Sequence, residues 1–141
     1  AKRMERPINL NTVIREPNDI AKLLMNELRY EKRENVKIII LNTKNVVQKI
    51  VDISKGKISS ANIDIKRIFE ETIKTGMSKF ILVHNHPSGD PTPSSYDLKL
   101  TKQIEESAKI LELQLLDHII IGDGVYQSIF TNRNRKIKNK E

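Results

Sequence analysis

The sequence contains no cysteine and no tryptophan, and only three tyrosines and three phenylalanines. Without cysteine the chain lacks the usual ligands of a structural zinc site. It is also indifferent to redox compartment; a reducing cytoplasm suits it, and a cytoplasmic location is the expectation. Aromatic residues make up 4% of the chain, too few for a platform that stacks single-stranded bases. No apolar run approaches the roughly 20 residues that span a bilayer, so no membrane partner is expected. The opening Ala1-Lys2-Arg3-Met4-Glu5-Arg6 leads into no apolar segment of the kind a secretory signal has. Prolines number five, and three of them, Pro87, Pro91 and Pro93, fall in one short loop.

What is present is ordinary in bulk. A chain of 141 residues suits one domain with a modest core. Hydrophobic content of 38% and charged content of 30% are those of a globular protein. The formal net charge of +7 invites a nucleic-acid reading. Its distribution weakens that reading. Lys2, Arg3 and Arg6 face only Glu5 at one end; Arg133, Arg135, Lys136, Lys138 and Lys140 face only Glu141 at the other. The body between is nearly neutral. Residues 1–16 read as an irregular basic arm and 131–141 as a basic tail, solvated and capable of weak, non-specific nucleic-acid contact.

Between these ends the hydrophobic pattern predicts α-β-β-α-β-α-β-β, an α/β (mixed α+β) domain with one mixed sheet flanked by helices. Pro17 opens a helix over 18–30 with Ile20, Leu23, Leu24 and Leu28 at helical spacing. Val36–Leu41 and Val46–Ile53 read as a hairpin turning at Asn42-Thr43-Lys44-Asn45. Ser54-Lys55-Gly56-Lys57 reads as a loop or bulge. Ile65, Ile68, Phe69 and Ile73 mark a second helix stopped by Gly76. Residues 79–83 form a strand. A third helix runs from Ser94 to Leu113 with Leu100, Ile104, Ala108 and Leu111 on one face. Leu116–Ile121 and Val125–Phe130 are strands joined by Gly122-Asp123-Gly124.

The chemistry concentrates in residues 84–97. His84 and His86 lie two apart at the end of the apolar strand, so their side chains leave on the same face and can converge on one metal ion. Pro87 keeps His86 extended, and the prolines with Gly89 make a loop with little freedom to lose. Ser94 is a helix N-cap, and Asp97 falls in the first turn, where its carboxylate can turn back toward the histidines. Two neutral imidazoles and one carboxylate leave a fourth tetrahedral position for water, the ligand count of a catalytic zinc site. Each piece alone has a plainer reading: a polar strand end, a turn, a cap. Together they spend two of the three histidines of the chain on one constellation.

His-x-His, seven residues, then Ser-x-x-Asp resembles the JAMM (MPN+/JAB) metalloprotease motif. The fuller string His84-Asn85-His86-Pro87-Ser88-Gly89-Asp90-Pro91-Thr92-Pro93-Ser94 resembles the RadC branch of that superfamily, long labelled "DNA repair protein". The likeness spans residues 17–130 and implies a JAB/MPN-like, cytidine deaminase-like fold. It implies that His84, His86 and Asp97 bind one zinc ion, and that Ser94 polarises the substrate carbonyl or its oxyanion. It also implies an upstream glutamate as general acid/base. Leu28-Arg29, Glu34, the strand 36–41 and Thr43-Lys44-Asn45 match the RadC pattern there, so the resemblance places that base at Glu34 rather than the neighbouring Glu31. Asn85, Ser88 and Asp90 read as loop-shaping. Asp117-His118 also resembles the family; a structural role is favoured over an Asp-His pair supporting the metal site or a third metal ligand.

The resemblance departs in two places. The family's helix-hairpin-helix module, which contacts DNA, has no counterpart in residues 1–16, and Asp64-Ile65 stands where the family tends to have His-Pro. The first reading is therefore a zinc-dependent hydrolase acting on an amide or isopeptide bond of a peptide or protein substrate. The second is a DNA-repair-associated accessory module with a metal-stabilised, non-hydrolytic site. A third, an HNH-type nuclease, rests only on the letters His-Asn-His; those nucleases spread the residues over a ββα unit.

Overall fold

The computed structural model describes residues 11–55 and 63–133. Most of the basic arm and tail, at 1–10 and 134–141, lies outside them, as do Gly56 and Lys57 of the expected loop.

Among the described residues, five strands form one sheet in the order β2-β1-β3-β4-β5. The elements run α1 (Pro17–Leu28), β1 (Asn35–Leu41), β2 (Val47–Lys55), α2 (Ile65–Lys74), β3 (Lys79–Asn85), α3 (Ser95–Ile110), β4 (Gln114–Ile121) and β5 (Tyr126–Ser128). Of these described strands only β3 and β4 pair in parallel, and α3 is the crossover between them. The mixed, helix-flanked sheet is thus the architecture expected from the pattern. No helix among the described residues is long and apolar enough to cross a membrane.

The central strands are buried on both faces, which is why Ile38–Leu41 reads as a continuous apolar run instead of an alternation. Ile39, Leu41, Ile81, Val83, Ile119 and Ile121 pack under α1 through Ile20, Ala21, Leu24 and Leu28. Val36, Ile38, Ile40, Phe80 and Leu82 pack on the other side against Ile68 and Phe69 of α2 and Leu100, Ile104 and Ala108 of α3. By strand alternation His84 continues the Phe80–Leu82 face, toward α3.

Four local expectations need correction. Residues 12–14 are not a loose arm: Thr12 and Ile14 bond to Val47 and Asn45, and Ile14 is buried. In α2 it is Thr72, bonded back to the Ile68 carbonyl, that takes the buried position, while Ile73 faces solvent. Helix α3 stops at Ile110 because Glu112 takes a left-handed turn (φ 59°), so Leu111 is exposed and Leu113 buried. Strand β5 ends at Ser128. Its hydroxyl oxygen accepts from the Thr131 N–H, starting a helical turn at 129–133 that the apolar pattern of Val125–Phe130 hides.

Candidate metal centre

The site sits where β3 ends and α3 begins. Ser94 caps α3 with a reciprocal box. Its Oγ accepts from the Asp97 N–H at 3.0 Å, and the Asp97 Oδ2 accepts from the Ser94 N–H at 2.9 Å. This box turns the Asp97 carboxylate back toward the strand. There Oδ1 lies 3.3 Å from His84 Nε2 and Oδ2 lies 3.1 Å from His86 Nε2. The two Nε2 atoms are 3.1 Å apart. One ligand atom from each of the three residues falls within 4.8 Å of the others, and His84 and Asp97 are buried.

Hydrogen bonding decides what those atoms are. His86 Nδ1 lies 2.9 Å from the Asp90 carbonyl. A carbonyl only accepts, so Nδ1 carries the proton and neutral His86 keeps its Nε2 lone pair for the centre. Lone pairs and a carboxylate packed this closely suit a cation among them. A proton is one answer: Asp97 first, then the Asp90 carbonyl and the charge of Glu34, raises the His86 pKa above its ordinary value against the effect of burial. Burial pushes the Asp97 carboxyl upward, but with a proton on the centre the imidazole N–H and charge at its oxygens, together with the Ser94 N–H, outweigh it and hold it well below the usual carboxylate range. A divalent metal is the other answer, and two nitrogens with one carboxylate oxygen suit its ligand preferences.

His118 is fully buried beside this centre. Its Nε2 lies 2.7 Å from His84 Nδ1, and its Nδ1 lies 2.6 Å from Thr101 Oγ1. Burial above all holds its pKa well below the ordinary value. Asp117 does not pair with the His118 ring. It binds the Ser128 hydroxyl and the His118 and Phe130 N–H groups, fixing the β4–β5 edge.

Glu34 precedes β1, which pairs antiparallel with β3 through Val36 opposite His84. Continuing that register by two residues sets Glu34 across from His86, and its negative charge is felt there. Asn85, expected to shape the loop, instead holds this segment. Its Oδ1 accepts from the Asn35 N–H at 2.7 Å and its Nδ2 donates to the Arg33 carbonyl at 3.0 Å, one residue to either side of Glu34. Glu31 is exposed.

The loop after His86 is clamped to the β4–β5 turn. His86 donates its N–H to the Ile121 carbonyl, and the Gly89 carbonyl accepts from the Asp123 N–H. Asp123 is gripped in turn by Arg29 of the α1 C-cap at 2.8 Å. A Cβ on Gly122 would lie 2.3 Å from the Gly89 carbonyl oxygen. Gly122→Ala must therefore displace this loop, at a cost of about 1–3 kcal/mol of unfolding free energy. Urea denaturation checks this; a variant as stable as the wild type would contradict the clamp.

Comparison with known proteins agrees with the fold. A family model described as "RadC-like JAB domain" matches residues 14–136. A UPF0758 protein of Alkaliphilus metalliredigens is 47% identical over 116 residues, 82% of this chain and 50% of that protein. One of Moorella thermoacetica is 46% identical over 118 residues, 84% and 52% of the two chains. One of Clostridium tetani is 46% identical over 119 residues, again 84% and 52%. The chain spans about half the length of the curated relatives it matches.

Proposed function

Because this chain belongs to the RadC-like JAB domain family, we propose that it is a zinc-dependent hydrolase that cleaves an amide or isopeptide bond in a peptide or protein. The observation that carries the reading is the convergence of His84 Nε2, His86 Nε2 and the Asp97 carboxylate, with the far nitrogen of His86 tied to a carbonyl. In this reading those three residues hold the ion. Zinc in a three-ligand site supplies Lewis acidity and lowers the pKa of bound water toward about 7.

The protein's own groups do the rest. Glu34, held at the rim by Asn85, takes the proton of the attacking water and delivers it to the leaving amine. Ser94 uses a lone pair of its oxygen for the cap, so its hydroxyl hydrogen is available to the oxyanion of the tetrahedral intermediate. The α3 N-terminus adds positive dipole character at the same place.

Replacement of Ser94 tests its share. Gly caps a helix almost as well as Ser, so Ser94→Gly should stay folded and zinc-loaded while turnover falls by about 10²–10³-fold. Zinc content and turnover on a panel of peptides and ubiquitin-like isopeptides are the measurements. A fully active, zinc-loaded Ser94→Gly would leave Ser94 only its cap.

A further inference from the structure

The buried contact between His84 and His118 has a direction that can be worked out from its far end. Thr101 Oγ1 lies 2.7 Å from the Asp97 carbonyl and 2.6 Å from His118 Nδ1. A hydroxyl has one hydrogen, and a carbonyl oxygen can only accept. The Thr101 hydrogen therefore goes to the Asp97 carbonyl, the common back-bond of a helical threonine. Its oxygen can then only accept from His118, which must carry its proton on Nδ1. Neutral His118 is left with a bare Nε2, 2.7 Å from His84 Nδ1. His84 must be the donor there, and its Nε2 is left without a proton, facing His86 and Asp97.

We infer that Thr101 and His118 are positioning residues that hold His84 with its proton on Nδ1 and its Nε2 lone pair turned to the metal. The inference rests on the metal reading above. Neither residue is proposed to touch the ion. Both are buried and matched to each other, so no water competes for these bonds. The arrangement parallels the Asp90 carbonyl on His86, with an imidazole in place of a carbonyl as acceptor.

A register shift builds it. Phe80 pairs with Leu115, but Ile81 pairs with Asp117, so β4 carries an extra residue there. Leu115 packs with the α3-side core, and simple alternation from it would turn His118 to the α1 side. The extra residue restores His118 to the α3 side, where Thr101 and His84 wait.

The test reads ring protons and zinc affinity separately. Long-range ¹H–¹⁵N spectra of wild-type protein at pH 8, with and without zinc, should show neutral His118 protonated on Nδ1 and His84 protonated on Nδ1. A His118 proton on Nε2 would overturn the inference. Thr101→Val removes the acceptor at nearly constant volume. It should let the His118 proton redistribute to Nε2 and weaken zinc binding by about 10–100-fold in chelator competition. Thr101→Ser restores the hydroxyl and should recover both. A purely structural role would lower the melting temperature without moving the ring proton. Wild-type zinc affinity in Thr101→Val would sink the relay. If the wild type itself bound no zinc, the metal reading would fail, and the zinc-free spectra would still decide the relay.

Discussion

Protein stripped with a chelator and carrying Asp97→Asn, His84→Ala or His86→Ala is expected to take up no stoichiometric zinc, where the wild type regains about one ion per chain. The three residues are not equivalent in what else they do. Asp97→Asn is the cleanest variant, because an amide oxygen can still accept from the Ser94 N–H and keep the helix cap. It removes the charge that faces both imidazoles and puts an NH2 group in place of one of the two oxygens. His84→Ala opens a cavity in a buried position and strips His118 of its partner, so its fold must be checked by circular dichroism. His86→Ala leaves the Asp90 carbonyl to the solvent and should fold well. Acid should mimic these variants in the wild type. A proton on His86 competes with the ion, and its pKa is raised, so zinc affinity should fall as pH drops through that value. Retention of zinc by any of the three variants, measured by elemental analysis, would end this ligand set.

Glu34→Gln should do the opposite: keep zinc and lose turnover by about 10²–10⁴-fold, the usual contribution of a general acid/base. The geometry argues for Glu34 over Glu31. Glu34 is one residue from two points of attachment to Asn85, and it is near enough to His86 to raise its pKa. Glu31 is three residues earlier and exposed, so Glu31→Gln serves as the control and should retain wild-type turnover. Zinc content and kcat are measured together on the same preparation. Loss of zinc in Glu34→Gln, with Glu31→Gln catalytically dead instead, would mean that the base has been assigned to the wrong acid.

The legible part of this site was the part built from local geometry. His84 and His86 share a face because strand side chains alternate, and Asp97 turns inward because a Ser-x-x-Asp helix start makes a reciprocal cap. Both follow from a few consecutive residues. The α-β-β-α-β-α-β-β order was readable for the same reason. Glu34 was a different case. Its place beside His86 depends on antiparallel pairing of strands 48 residues apart, Val36 with His84, and only the resemblance through Thr43-Lys44-Asn45 pointed to it. Asn85 looked like a loop residue because nothing in its neighbourhood reveals the backbone of Arg33 and Asn35 arriving beside it. Thr101 was invisible. Its sequence context is an ordinary amphipathic helix, and its partner His118 reaches it only through the extra residue in β4. The Asp117-His118 pair was marked, but its two side chains go to different neighbours. The misplaced ends, Leu111 and β5, share one cause. An apolar residue past a helix or strand terminus reads as a continuation until a left-handed residue or a capping serine ends it.

The central claim is that two imidazole Nε2 atoms and the Asp97 carboxylate hold one ion. Anomalous diffraction at the zinc edge from crystals soaked in zinc tests it most directly. The prediction is a single strong peak about 2.0–2.1 Å from both His84 Nε2 and His86 Nε2 and in bonding range of Asp97. No peak there at saturating zinc, or a peak bonded to Nδ1 of either ring, would contradict it.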